Sequence, residues 1–165
     1  MSSRSSTFFA LLSTARCVRL PLAPGSTSAA EIGRLSPVAL AYLGDAVFEL
    51  HARQRLLWPP AKVDDLSSRV QSLACAEGQS TALKDLIAAV ELTDDENEWL
   101  RRGRNAAGRG PRRLKPQTYR EATALETLLG VLYLTDTERL SVILEVVLPA
   151  SDADAESHME RISTT

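Results

Sequence analysis

The stretch ALAYLGDAVFELHAR, residues 39–53, is apolar around most of a helical circumference, yet it carries an acid, Asp45, directly after a glycine. A helix apolar on nearly every side packs at the centre of a domain. A carboxylate there is costly unless it faces a partner, and a mid-helix glycine weakens the helix by about 1 kcal/mol relative to alanine. Gly44 and Asp45 are therefore either a local defect tolerated for packing or a charged oxygen presented to something.

Working outward, Ser36 is a natural N-cap and Pro37 suits the first helical position, while Pro59 and Pro60 stop the helix after Trp58. A second helical region is expected from about Val63 to Val90, broken near Gly78, with Leu66, Val70 and Leu73, then Leu83, Leu86 and Ile87, at helical spacing. Thr93 with Glu96 makes a capping box that opens a helix to about Arg104, and Thr118 with Glu121 reads as another. The helix YREATALETLLGVLYL that follows is also mostly apolar and holds one acid, Glu126, in its middle. A last helix runs from about Asp136 to Leu148, before Pro149 and an acidic tail. No strand or repeat emerges, and the fold class is all-α.

Composition narrows the function. The 165 residues have room for one ordinary domain, 44% of them are hydrophobic, and Leu and Ala dominate over β-branched residues. Cys17 and Cys75 lack metal-ligand spacing and give no disulfide framework. No apolar run approaches the roughly 20 residues that span a bilayer, so no membrane role is expected. A net charge of −2 argues against a general nucleic-acid binder, but the charges are segregated: Trp99 to Arg120 holds eight basic residues and no acid. Three arginines and no acid precede Glu31, and residues 1–30 read as a disordered extension, with an organellar transit peptide as the alternative. The organisation expected is thus an extension over 1–30, a domain over 31–149 and a flexible acidic tail over 150–165.

Two central helices each holding one buried acid form an informative coincidence. Asp and Glu oxygens from facing helices are what Mg²⁺ takes, using one or two carboxylates and keeping several waters. A bound metal could activate water against a phosphodiester, and the basic run RRGRNAAGRGPRR could hold the phosphates. Each element has a plainer reading. Glu49 pairs with Arg53 at i+4, Glu121 serves its capping box, His51 is a surface or packing histidine, and the basic run is a solvated loop.

LAYLGDAVFEL together with YREATALETLLGVLYL resembles the two acid-bearing helices of the ribonuclease III catalytic domain, and RRGRNA and PQTYR resemble its Mini-III branch, which lacks the appended double-stranded-RNA-binding domain. The matching segments span about Leu35 to Leu148. The resemblance implies an all-helical homodimer that cuts double-stranded RNA with divalent metal, usually Mg²⁺. Asp45 and Glu126 would be the catalytic metal ligands, and Arg101, Arg102, Arg104, Asn105, Arg109, Arg112, Arg113 and Lys115 would contact RNA. It also implies maturation of the large-subunit (23S) ribosomal RNA precursor as the task, leaves room for a ribosomal-protein helper, and places the chain in the cytoplasm, or in the plastid stroma if residues 1–30 are a transit peptide. Two carboxylates of the larger enzymes are replaced here, by Ala41 and Thr123, which puts a full two-metal site in doubt; the Thr123 hydroxyl is a candidate for positioning a metal-bound water. The alternative is a catalytically silent double-stranded-RNA-binding or ribosome-associated protein on the same fold.

Overall fold

The computed structural model describes residues 24–148. Its helices are α1 (Ala29–Ile32), α2 (Pro37–Leu56), α3 (Val63–Ala74), α4 (Ala76–Ala89), α5 (Asp94–Ala106), α6 (Pro116–Thr135) and α7 (Thr137–Val147), with no strand among the described residues. None of these helices is long and apolar enough to cross a membrane.

Most boundaries follow from local chemistry. Ser36 Oγ accepts from the Ala39 amide at 3.1 Å and Pro37 occupies the first turn of α2. The Thr93–Glu96 capping box opens α5 with both of its hydrogen bonds. Asp136 caps α7 by accepting from the Arg139 amide at 2.9 Å.

Three boundaries differ from expectation. The break between α3 and α4 falls at Cys75, whose sulfur accepts from the Gly78 amide at 3.4 Å; Gly78 lies inside α4, where a Cβ would strike the Leu73 and Ser72 carbonyls. α6 starts at Pro116 rather than after Thr118, and its cap residue, Lys115, gives no side-chain hydrogen bond. Thr118 is then already inside the first turn, so no capping box forms with Glu121. The domain edge expected at residue 31 lies inside ordered structure, because the Gly25 and Thr27 amides donate to the Tyr133 and Leu134 carbonyls, each at 2.9 Å. The rest of the expected extension, residues 1–23, and the tail from residue 149 lie outside the described residues.

α6 is the axis of the bundle and touches α1, α2, α4, α5 and α7. Ala124, Leu125, Leu128 and Leu129 are fully buried on it, and Phe48, Leu83, Leu86 and Ile143 close around them from α2, α4 and α7. Each such leucine contributes about 2 kcal/mol or more by leaving water. A smaller cluster, Ile32, Leu40, Val131 and Leu134, packs the α1 side.

Candidate active site

α2 and α6 meet backbone to backbone. A Cβ on Gly44 would overlap the Glu126 carbonyl oxygen, and one on Gly130 would overlap the Leu40 carbonyl oxygen, so the crossing exists because both residues are glycines. Asp45 follows the first glycine, and Glu126 stands one turn before the second. The crossing brings the two predicted acids together.

A third residue joins them. Gln79, at the start of α4 and only 1% exposed, donates from Nε2 to Asp45 Oδ1 at 3.3 Å. Burial, and secondarily the Asp45 charge, pushes the Glu126 carboxyl up to about 7, with the Gln79 amide working in the opposite sense. Two half-buried carboxylates without a cation are electrostatically unfavourable, and a shared hard cation would relieve both causes of that shift. Nothing in the sequence pattern singled out Gln79. It reads as one polar residue in an amphipathic helix, and only the packing of α4 on α6 reveals its place.

Glu121 has a different role from the cap expected of it. Ser80 Oγ donates to it at 2.5 Å and Gln117 Nε2 at 2.7 Å, while Lys84 Nζ lies 3.4 Å away. Burial opposes its ionisation, but these donors together hold its carboxyl below the ordinary carboxylate range. It is a satisfied structural acid binding α4 to α6. Thr123 is 6% exposed and donates its hydroxyl proton to the Tyr119 carbonyl at 3.0 Å, so only lone pairs remain for any water beside it. Ala41, in the position of the other replaced carboxylate, is buried in α2. Among the described residues no three His, Cys, Asp or Glu side chains cluster as a metal site.

The basic residues separate into groups. Arg101 makes a bidentate pair with Glu98, at 2.7 Å for both bonds, and Arg102 lies over the Trp99 ring at 4.0 Å. Arg104 and Asn105 turn instead toward Gln117 and Arg120 on α6. Arg109, Arg112 and Lys115 are exposed on the connecting loop. Arg113 borders a groove between α2 and α3 that also includes Glu49 and Arg53. The loop is not wholly free of the bundle, since Gly110 sits so close to the Tyr119 ring that a Cβ there would overlap it. Glu49 and Arg53 form the expected i+4 pair at 2.5 Å.

Residues 38–137 match the Ribonuclease III domain family. The chain is 52% identical over 113 residues to the Mini-ribonuclease 3 of Synechocystis sp., covering 68% of this chain and 78% of that relative. It is 51% identical over 116 residues to the Mini-ribonuclease 3 of Gloeobacter violaceus, covering 70% and 84%. A crystal structure of a Fusobacterium nucleatum protein superposes with a TM-score of 0.63 at 32% identity, over 70% of this chain and 93% of that one. With its two acids joined across a glycine-packed helix crossing, the chain belongs to the ribonuclease III family, in its Mini-ribonuclease 3 branch.

Proposed function

We propose that this endoribonuclease of the ribonuclease III type hydrolyses phosphodiester bonds of double-stranded RNA at Asp45 and Glu126, with a divalent cation, Mg²⁺ by preference. The observation that carries the site is the convergence of the two carboxylates with Gln79 at the α2–α6 crossing. The donor set is hard oxygen, and its two carboxylates match what hydrated Mg²⁺ takes from a protein beside a phosphate. When bound there, the cation would supply an activated water and charge stabilisation on the phosphate. Asp45 and Glu126 would hold it, and the Gln79 amide fixes the Asp45 carboxylate in orientation. The rigid crossing keeps both acids in place without reorganisation.

The basic loop would hold the duplex by its phosphates, giving weak sequence preference and steep salt dependence. A homodimer is the assembly that suits this surface. Val38 and Tyr42, 54% and 85% exposed, stand on α2 one turn apart beside Asp45, and a second copy covering them would set two sites on one duplex. The target proposed is the stem of the large-subunit ribosomal RNA precursor, acted on in the cytoplasm. The silent-scaffold alternative has to leave both acids and Gln79 gathered at one point without a task.

The test is cleavage of an end-labelled duplex by the purified protein with Mg²⁺, beside an Asp45→Asn variant and an EDTA control. Cutting of duplex but not single strands by the wild type, with binding but no cutting by the variant, is the expected result. A wild type that binds duplex and the ribosomal precursor stem yet never cuts either would establish the silent scaffold. Faster cutting of the precursor stem than of an unrelated duplex checks the substrate.

A further inference from the structure

A cavity of about 210 Å³ opens between the C-terminal end of α5 and the first turns of α6, lined by Arg104, Asn105, Gln117 and Arg120 and by no apolar or acidic residue. Neither arginine has an ion-pair partner among the described residues, in contrast to Arg101 and Arg139. The Arg104 Nε–H is buried and makes no hydrogen bond. Two guanidinium groups facing one small space repel each other, and a buried donor without an acceptor costs the desolvation of that group. Both penalties vanish if an anion with several acceptor oxygens enters.

We propose that this cavity seats a single backbone phosphate of the RNA duplex, held by Arg104 and Arg120 with Asn105 as a neutral donor; the proposal rests on the RNA-cleaving reading above. Guanidinium forks match phosphate oxygens in geometry and charge. Gln117 is already committed through Nε2 to Glu121, so its part is to border the cavity and tie it to the bundle. Gln117 and Arg120 place the cavity at the N-terminal turns of α6, the positive end of that helix's dipole. No aromatic or aliphatic side chain is present to stack a base, so the pocket reads the backbone and not the sequence. Arg120 precedes Glu126 by six residues, about 9 Å along the axis of α6. Basic character alone would not have separated these residues from Arg101 and Arg102, whose charged ends are engaged with Glu98 and Trp99.

The experiment measures affinity for a fluorescent RNA duplex in EDTA at several KCl concentrations, for the full chain and for Arg104→Gln, Arg120→Gln, the double variant and Arg69→Gln, each first checked by circular dichroism and thermal unfolding. Either pocket variant should weaken binding about three- to tenfold and reduce the salt slope by about one phosphate's worth. The double variant should lose no more slope than either single one, because both arginines serve one phosphate. Arg69→Gln, at an exposed position on α3, should stay within about twofold of wild type. A duplex series with single neutral methylphosphonate linkages should then show a position where neutralisation weakens the wild type but not the double variant. Wild-type affinity and slope in both single variants, or identical methylphosphonate profiles in wild type and double variant, would overturn the pocket while leaving the nuclease reading intact. A wild type that binds no duplex at any salt would overturn both.

Discussion

Gly44 on α2 lies directly against the Glu126 carbonyl on α6, with no room between them for a single methyl group. Gly44→Ala must therefore push apart two backbones rather than rotate a side chain. Overpacking of this kind costs about 3 kcal/mol or more, and a fall in melting temperature on the order of 10 °C is expected. Any folded fraction should cleave far less RNA, because the same displacement separates Asp45 from Glu126. Thermal unfolding and single-turnover cleavage of one preparation check both effects.

Glu126 makes the metal-free protein pH-sensitive in a particular direction. Its carboxyl rises from an ordinary 4.5 to about 7 on folding, so between those values the folded state binds the extra proton and stability declines as pH increases. Glu126→Gln removes that decline. In EDTA the variant should match wild type near pH 4.5 and exceed it at pH 8 by on the order of 2 kcal/mol. Added Mg²⁺ should narrow the gap at pH 8 by stabilising the wild type alone. Melting curves at the two pH values decide it.

Gln79→Ala should leave duplex affinity unchanged and lower the cleavage rate by about 10- to 100-fold, the range for losing a group that orients a ligand. The substitution frees Asp45 from its amide donor without adding charge. A rate equal to wild type would remove Gln79 from the active machinery.

Arg139 ties α7 to α5. It donates to the buried Glu96 through Nε at 2.7 Å and a terminal nitrogen at 2.9 Å, and to the Glu91 carbonyl at 3.0 Å. The Arg139 hydrogen bond, followed after the opposing effect of burial by the Thr93 amide, holds the Glu96 carboxyl below its usual range. This contribution is fully present above the ordinary carboxylate pKa and is lost as pH falls through the lower folded value. Arg139→Met should cost about 3–5 kcal/mol at pH 7 by leaving a buried charge uncompensated, and less in acid. Adding Glu96→Gln should recover part of the loss, as urea unfolding would show.

Sequence periodicity suffices for the existence of α2 to α7 but not for the four-residue α1, and α2 and α6 announce their central place by being apolar around most of their circumference, each with one acid, Asp45 or Glu126, in its middle. Capping chemistry was legible where one side chain decides it, as at Ser36 and Thr93, and misleading at Thr118, where Pro116 starts the helix two residues earlier. Glu121 could not be read correctly because its partners Ser80 and Lys84 are some forty residues away and meet it only after α4 docks. The basic run showed that phosphates were expected, but not which arginines are free to meet them. That depends on which carboxylate or ring each one finds in three dimensions.

The two glycines at the α2–α6 crossing have a further consequence for tolerance to change. Spacing between the carboxylates is set by main-chain atoms in contact, not by the bulk of side chains around them. Leucines elsewhere in the bundle can thus be exchanged for residues of similar volume, at the modest cost such repacking carries, while the distance between the two acids stays fixed. The geometry of the proposed site is in this sense insulated from drift in the core that supports it, and exposed to change at positions 44 and 130, which carry no side-chain functional group.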